Sequence, residues 1–234
     1  MIRTVFFDFY GTLVGFDPSR FVIQSTACLD FNIQLTPEGV AKGYSIADAY
    51  MAKQNADSPL RTLNPKERGR FFAEYERLVL KGAGIEITTE QAAAIWKRIE
   101  QVPYRMSAYD DVFPTIKSLK INGISVGVIS NMNRDGSELL KDVGLTPYID
   151  FVVTSSEVLV EKPHPDIFKF ALSKADTEPH EAVHVGDQLT SDVEGALRAG
   201  ITPVLLDRDC RYRHIEEFIR IENLSDLPEA LLSV

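Results

Sequence analysis

A chain of 234 residues with 34 acidic and 25 basic side chains carries a formal charge of −9 at neutral pH, which argues against a general affinity for nucleic acid or anionic membrane. Its length suits one large domain or a core with an insertion, and its 44% of hydrophobic residues can supply a substantial buried core. No apolar run approaches the ~20 residues of a membrane helix, and the N-terminal MIRTVFFDFY is too short and too interrupted by Asp8 to read as a secretory signal.

The β-branched and aromatic run TVFFDF, residues 4–9, predicts a buried strand, followed by a turn at Gly11 to Gly15. From residue 18 to about 104 the signals are helical only. A first helix is expected from about Ser19 to Asp30. Thr36-Pro37-Glu38 offers an N-cap with proline at the first helical position. Asn64-Pro65-Lys66-Glu67 repeats that pattern with Glu67 placed for a capping box, and Thr89 opens a further helix through Trp96 to Glu100. The expected organisation is a four-helix insertion over 17–104, without strands, between two parts of a core, 1–16 and 105–234. Phe71, Phe72 and Tyr75 read as packing within the insertion, and Arg61, Arg68 and Arg70 as a solvated face.

After Pro103 the pattern alternates. Helix 114–122 ends at Gly123, and ISVGVIS, 124–130, is a strand. Helix 136–142, strand 151–155, helix 165–174 and strand 182–187 follow, then a helix to Gly200 and strand 202–207. The tail is expected to hold short helices. Continuously apolar strands alternating with helices predict an α/β fold, a Rossmann-like doubly wound parallel sheet covered on both faces. Cys28 and Cys210 lie far apart with no metal spacing, as expected of free thiols in a reducing compartment, and the cytoplasm is the expected location.

In such a sheet ligands gather at the carboxyl ends of the strands. Four expected strand exits carry reactive or anion-binding groups: Asp8, Ser130-Asn131, Lys162 and Asp187. Each alone is an ordinary turn residue, but all four in this order form a constellation. His164, between two prolines, reads as structural. Ser191-Asp192-Val193-Glu194 also reads as a capping box that would open the last core helix.

DFYGTL at 8–13, SN at 130–131, EKPHPDIF at 161–168 and GDQLTSD at 186–192 together resemble the haloacid dehalogenase superfamily of hydrolases. The resemblance runs from residue 2 to about 207, and the helical insertion resembles that superfamily's cap. It implies Asp8 as nucleophile, Lys162 as the cation that neutralises it, and Ser130 with the amide of Asn131 as anion binders, with Thr12 also on the substrate. It further implies a Mg²⁺ held by Asp8, Asp187 and the backbone carbonyl of Tyr10, with Asp192 behind them. A carboxylate nucleophile divides the displacement into two steps through a covalent aspartyl intermediate.

Tyr10 divides the reading. Phosphatases of the superfamily usually have aspartate there as general acid and base, whereas a tyrosine titrating near ~10 is poorly matched to that task. L-2-haloacid dehalogenases have this tyrosine and expel a halide that needs no proton. Those enzymes need no metal, carry serine and asparagine where this chain has Gly186-Asp187, and have a tyrosine where this chain has Phe168. The arginine they use for the halide has no counterpart at Gly39. The expected activity is therefore a Mg²⁺-dependent phosphatase acting on a small phosphorylated metabolite. The alternatives are an L-2-haloacid dehalogenase or a catalytically weak phospho-ligand binding protein. The expected partner in each case is a small molecule, a phosphate ester or a 2-haloacid.

Overall fold

The computed structural model describes residues 1–233, the side chains of 56 and 233 excepted. The chain forms two compact units, residues 1–15 with 106–234 and residues 16–105. The first unit is built on strands β1 (Thr4–Phe7), β4 (Ser125–Ser130), β5 (Phe151–Thr154), β6 (Ala182–Gly186), β7 (Thr202–Leu206) and β8 (Ile219–Ile221). Short strands β2 (Val14–Asp17) and β3 (Arg105–Ala108), where the chain passes between the units, form a separate two-stranded sheet. The large sheet has the order β5-β4-β1-β6-β7-β8 and is parallel throughout.

The α/β expectation holds, and the reason is visible residue by residue. Val5 and Phe7 of β1 face one way, into a cluster with Val112, Ile116 and Leu119 of α5 (Val112–Ile121) and Leu139 of α6 (Gly136–Asp142). Phe6 faces the other way, into a cluster with Ile167, Phe168 and Ala171 of α8 (Pro165–Lys174) and Ala196 of α9 (Gly195–Arg198). Successive side chains on a strand alternate between faces. A strand covered on both faces must therefore be apolar on both, which is why Val5-Phe6-Phe7 reads as an unbroken apolar run.

Four features differ from the sequence expectation. Strand β8 lies in the tail, where only short helices were expected; three residues with one of them buried give too little pattern to detect. Strands β2 and β3 lie at the edges of the helical insertion, where no strand was expected. A one-turn helix α7 (Ser155–Val158) follows β5 directly. Finally, residues Leu189–Glu194 form a π-helical turn, and no side-chain cap closes it. The capping box expected at Ser191–Glu194 does not form: the Ser191 hydroxyl donates to Gln188 Oε1 at 3.2 Å and the Glu194 carboxylate accepts from Arg198 at 2.8 Å.

The second unit comprises α1 (Arg20–Leu29), α2 (Pro37–Asp57), α3 (Pro65–Gly82) and α4 (Thr89–Ile99), with a short 3₁₀ turn at Leu60–Thr62. Asn64 and Glu67 form the expected capping box; the last helix is capped by Thr88 with Gln91, one residue earlier than expected. Phe71 stacks on Tyr50 at 5.0 Å and Phe72 on Trp96 at 4.4 Å, so the aromatic stripe is packing within this unit. Arg61, Arg68 and Arg70 are exposed.

Glu76 of α3 is fully buried in this unit. Gln24 Nε2 donates to its Oε1 at 2.6 Å, Tyr44 donates its hydroxyl to Gln24 Oε1 at 2.9 Å, and Glu76 Oε2 has no partner. Burial lifts its pKa from 4.5 to about 8, against the opposing bond from Gln24. A carboxyl whose folded pKa lies above its unfolded value contributes stability that is complete below the lower value and is lost as pH rises to the upper one. Unfolding midpoints should therefore fall as pH rises from about 4.5 to about 8. Glu76→Gln, which cannot ionise, should flatten that slope and raise stability at the alkaline end by on the order of a few kcal/mol. Denaturant titrations across this range check it, and parallel slopes for the two proteins would count against it.

Candidate active site

Asp8 follows the last residue of β1 directly, Ser130 ends β4, and Asp187 follows β6, so the sheet delivers all three to its carboxyl edge. Lys162 lies in the segment between α7 and α8, just before a cis bond to Pro163, rather than at a strand exit. Its Nζ donates to Asp8 Oδ1 at 2.5 Å and to Asp192 Oδ1 at 2.6 Å. The side chains of Lys162 and Asp192 are each 2% exposed, so this is an ion-paired group in a low-dielectric interior. Burial alone would lower the Lys162 pKa, but Asp192 and Asp8 outweigh it and hold the ammonium charged.

The three carboxylates differ in charge preference. Asp192 is held well below the usual range: burial opposes its ionisation, but Lys162 and His184 overcome that. Its Oδ2 accepts from the Gln188 amide at 3.0 Å. Burial lifts Asp8 to about 6, with Lys162 pulling against it. Burial, then the negative charges of Asp8 and Asp192, push Asp187 well above the ordinary carboxylate range.

Oxygens of Asp8, Asp187 and Asp192 lie within 4.8 Å of one another. Asp8 Oδ2 and Asp187 Oδ1 are both shut off from solvent with no hydrogen-bond partner. Two glycines permit the crowding. Gly11 has φ +91°, and a Cβ there would lie 2.7 Å from Asp187 Oδ2. A Cβ on Gly186 would lie 2.2 Å from the Asp192 carboxyl carbon.

Ser130 is buried, and its Oγ accepts from the Met132 amide at 3.2 Å. The Asn131 side chain does something the sequence did not show. Its Oδ1 accepts from the Lys162 amide at 2.6 Å and its Nδ2 donates to the Lys162 carbonyl at 2.9 Å. Asn131 thus clamps the backbone that carries the lysine. Thr12 is fully buried with its Oγ1 unpartnered, while its carbonyl accepts from Arg208 Nη2 at 2.9 Å. Tyr10 is half-buried and packs against the apolar cluster beneath the site. His164 caps α8 through the Asp166 amide, as a structural residue would.

Two elements of this neighbourhood were missed in the sequence. Arg208 makes a two-pronged ion pair with Asp111, at 2.7 and 2.9 Å, and so anchors the Thr12 turn. It stands just beyond strand β7, which is the available signal. The other is His184, whose Nε2 lies 3.1 Å from Asp192 Oδ1; its signal is a polar ring inside an apolar strand.

A family model described as haloacid dehalogenase-like hydrolase matches residues 2–200. The pyrophosphatase PpaX of Bacillus pumilus is 34% identical over 133 residues, 55% of this chain and 61% of its own length. The glyceraldehyde 3-phosphate phosphatase of Methanopyrus kandleri is 32% identical over 166 residues, 70% of this chain and 69% of its own. The structure of a 2-haloacid dehalogenase from Pseudomonas syringae pv. Tomato DC3000 is 25% identical, with a TM-score of 0.57, covering 100% of this chain and 99% of that one. With a family match spanning the described sheet up to β6 and the helix after it, the chain belongs to the haloacid dehalogenase-like hydrolases.

Proposed function

We propose that this hydrolase is a Mg²⁺-dependent phosphatase acting on a small phosphorylated metabolite. The observation that carries the proposal is the pair of buried, unpartnered carboxylate oxygens, Asp8 Oδ2 and Asp187 Oδ1. Two acids crowded together with raised pKa values repel one another unless a cation lies between them. A hard oxygen donor set of this kind suits Mg²⁺. Asp8, Asp187 and the backbone carbonyl of Tyr10 would hold the ion, which when bound would offset the charge of the phosphoryl group. The names of the phosphatase relatives support the same substrate class.

The chain's own groups then divide the work. Lys162 neutralises the Asp8 carboxylate from Oδ1, and that carboxylate attacks phosphorus. The P–O ester bond breaks with its electron pair on the leaving oxygen, giving an aspartyl phosphate. Water attacks that phosphorus and returns Asp8 as a carboxylate. Ser130 and the amide of Asn131 would bind the equatorial oxygens, with Thr12 beside them and Lys162 neutralising their charge. Asp192, fully engaged by protein donors, serves the site through Lys162. On this reading the helical unit, residues 16–105, is the cap that selects the substrate. The two free cysteines suit a reducing, cytoplasmic setting, and no helix among the described residues is long and apolar enough to cross a membrane.

The test is a panel of small phosphate esters assayed with Mg²⁺ and with a chelator, run beside metal-free 2-haloacids. Phosphate release that requires Mg²⁺ and disappears in Asp8→Asn is the expected result. Halide release without metal would overturn the reading in favour of the dehalogenase. Silence on both panels would favour a binding protein.

A further inference from the structure

Strand β6 reads Ala-Val-His-Val-Gly, and its third residue breaks an otherwise apolar strand. His184 is fully buried, stands in register with Phe6 of β1, and meets the ring of Phe168 edge-on at 5.1 Å. An apolar ring would fill this place. A buried imidazole costs free energy there unless it is hydrogen-bonded. Its one bond runs from Nε2 to Asp192 Oδ1 at 3.1 Å, and Nδ1 has no partner. Asp192 Oδ1 is also the oxygen that receives Lys162 Nζ, and Lys162 in turn reaches Asp8.

We propose that His184 is a positioning residue: its Nε2–H donates to Asp192 and fixes the carboxylate that aims Lys162 at Asp8. An ionised carboxylate only accepts, so the ring proton sits on Nε2 and Nδ1 carries the lone pair. Without this donor, Asp192 Oδ1 answers to Lys162 alone, and only the Gln188 amide ties the carboxylate to the rest of the core. The Gln188 amide holds Oδ2 at the other end. His184 and the Gln188 amide are thus the two fixed points between which Asp192 is stretched, and Lys162 takes its place from Asp192. Its catalytic consequence rests on the phosphatase reading; the hydrogen-bonded chain does not.

The test therefore has two arms. The first reads the ammonium resonance of Lys162 in ¹⁵N-labelled protein, recognised by slow exchange with water, as its 2% side-chain exposure requires. The second reads kcat and KM for an aryl phosphate with Mg²⁺. His184→Phe keeps the ring and removes the donor; His184→Gln keeps a donor of similar reach; His184→Met stands in should the phenylalanine variant not fold. The donor-free variant should lose or shift the Lys162 resonance and lower kcat roughly 10- to 100-fold with little change in KM. The glutamine variant should restore both. An unchanged resonance and kcat in the donor-free variant, or a glutamine variant as impaired as the phenylalanine one, overturns the proposal. If the wild-type protein turns over no ester, the phosphatase reading fails, and the ammonium resonance alone still decides the role of His184.

Discussion

Lys162→Met should destabilise the protein by about 3–5 kcal/mol at neutral pH, the cost of leaving buried charge uncompensated. Lys162 Nζ sits between Asp8 and Asp192, and its removal strands both carboxylates in an interior where their side chains are 11% and 2% exposed. Against a typical total of about 5–15 kcal/mol, this is a large fraction of what holds a domain together. The loss should depend on pH. In the wild-type protein Asp192 is depressed below its ordinary value of 3.8, so it contributes stability above that pH that is lost on acidification. Without the lysine that contribution is largely lost, and the buried acids are driven toward their protonated forms. The gap between wild type and variant should therefore narrow as pH falls toward about 4. Urea denaturation in the absence of divalent ions, at neutral and at acid pH, reads both effects. A gap independent of pH would show that the lysine stabilises by packing rather than by charge.

Tyr10→Asp should raise the rate of phosphate release from alkyl esters by roughly 10²- to 10⁴-fold, the usual contribution of a general acid-base group. Alkyl alcohols leave slowly without a proton, whereas nitrophenolate leaves readily. The gain should therefore be large for alkyl phosphates and small for nitrophenyl phosphate. Tyr10 is half-buried against the core cluster, so the substitution also removes packing. Tyr10→Asn supplies the control, because it loses the same packing and adds no acid. Equal rates for the aspartate and asparagine variants would mean that residue 10 does not limit protonation of the leaving group.

The sequence by itself determined the fold class, because the sheet is covered on both faces and its central strands had to be largely apolar on both. Phe6 and Phe7 point to opposite clusters, and that need is written in the residues. It also determined the helix starts at Thr36 and Asn64, where local hydrogen bonds decide the matter. It supplied the family resemblance and the positions of Asp8, Ser130 and Asp187, because strand exits in a parallel sheet converge on one edge; Lys162, expected at a strand exit, instead comes from the segment between α7 and α8.

Only the tertiary structure decided what each group does there. Whether an aspartate is an acceptor held low or a carboxyl pushed high depends on neighbours distant in the chain, and Asp192 and Asp187 went opposite ways five residues apart. Asn131 became a clamp on a backbone 31 residues away. Ser191–Glu194 offered a good local capping pattern and lost it, because Ser191 bonds Gln188 and Glu194 pairs with Arg198, while Asp192 between them turns to Lys162 and His184. Local rules fix local geometry, but charge state and hydrogen-bond partners are set by the fold. That is why the residues that gather at the candidate site were legible in the chain while the chain of contacts from His184 to Asp8 was not.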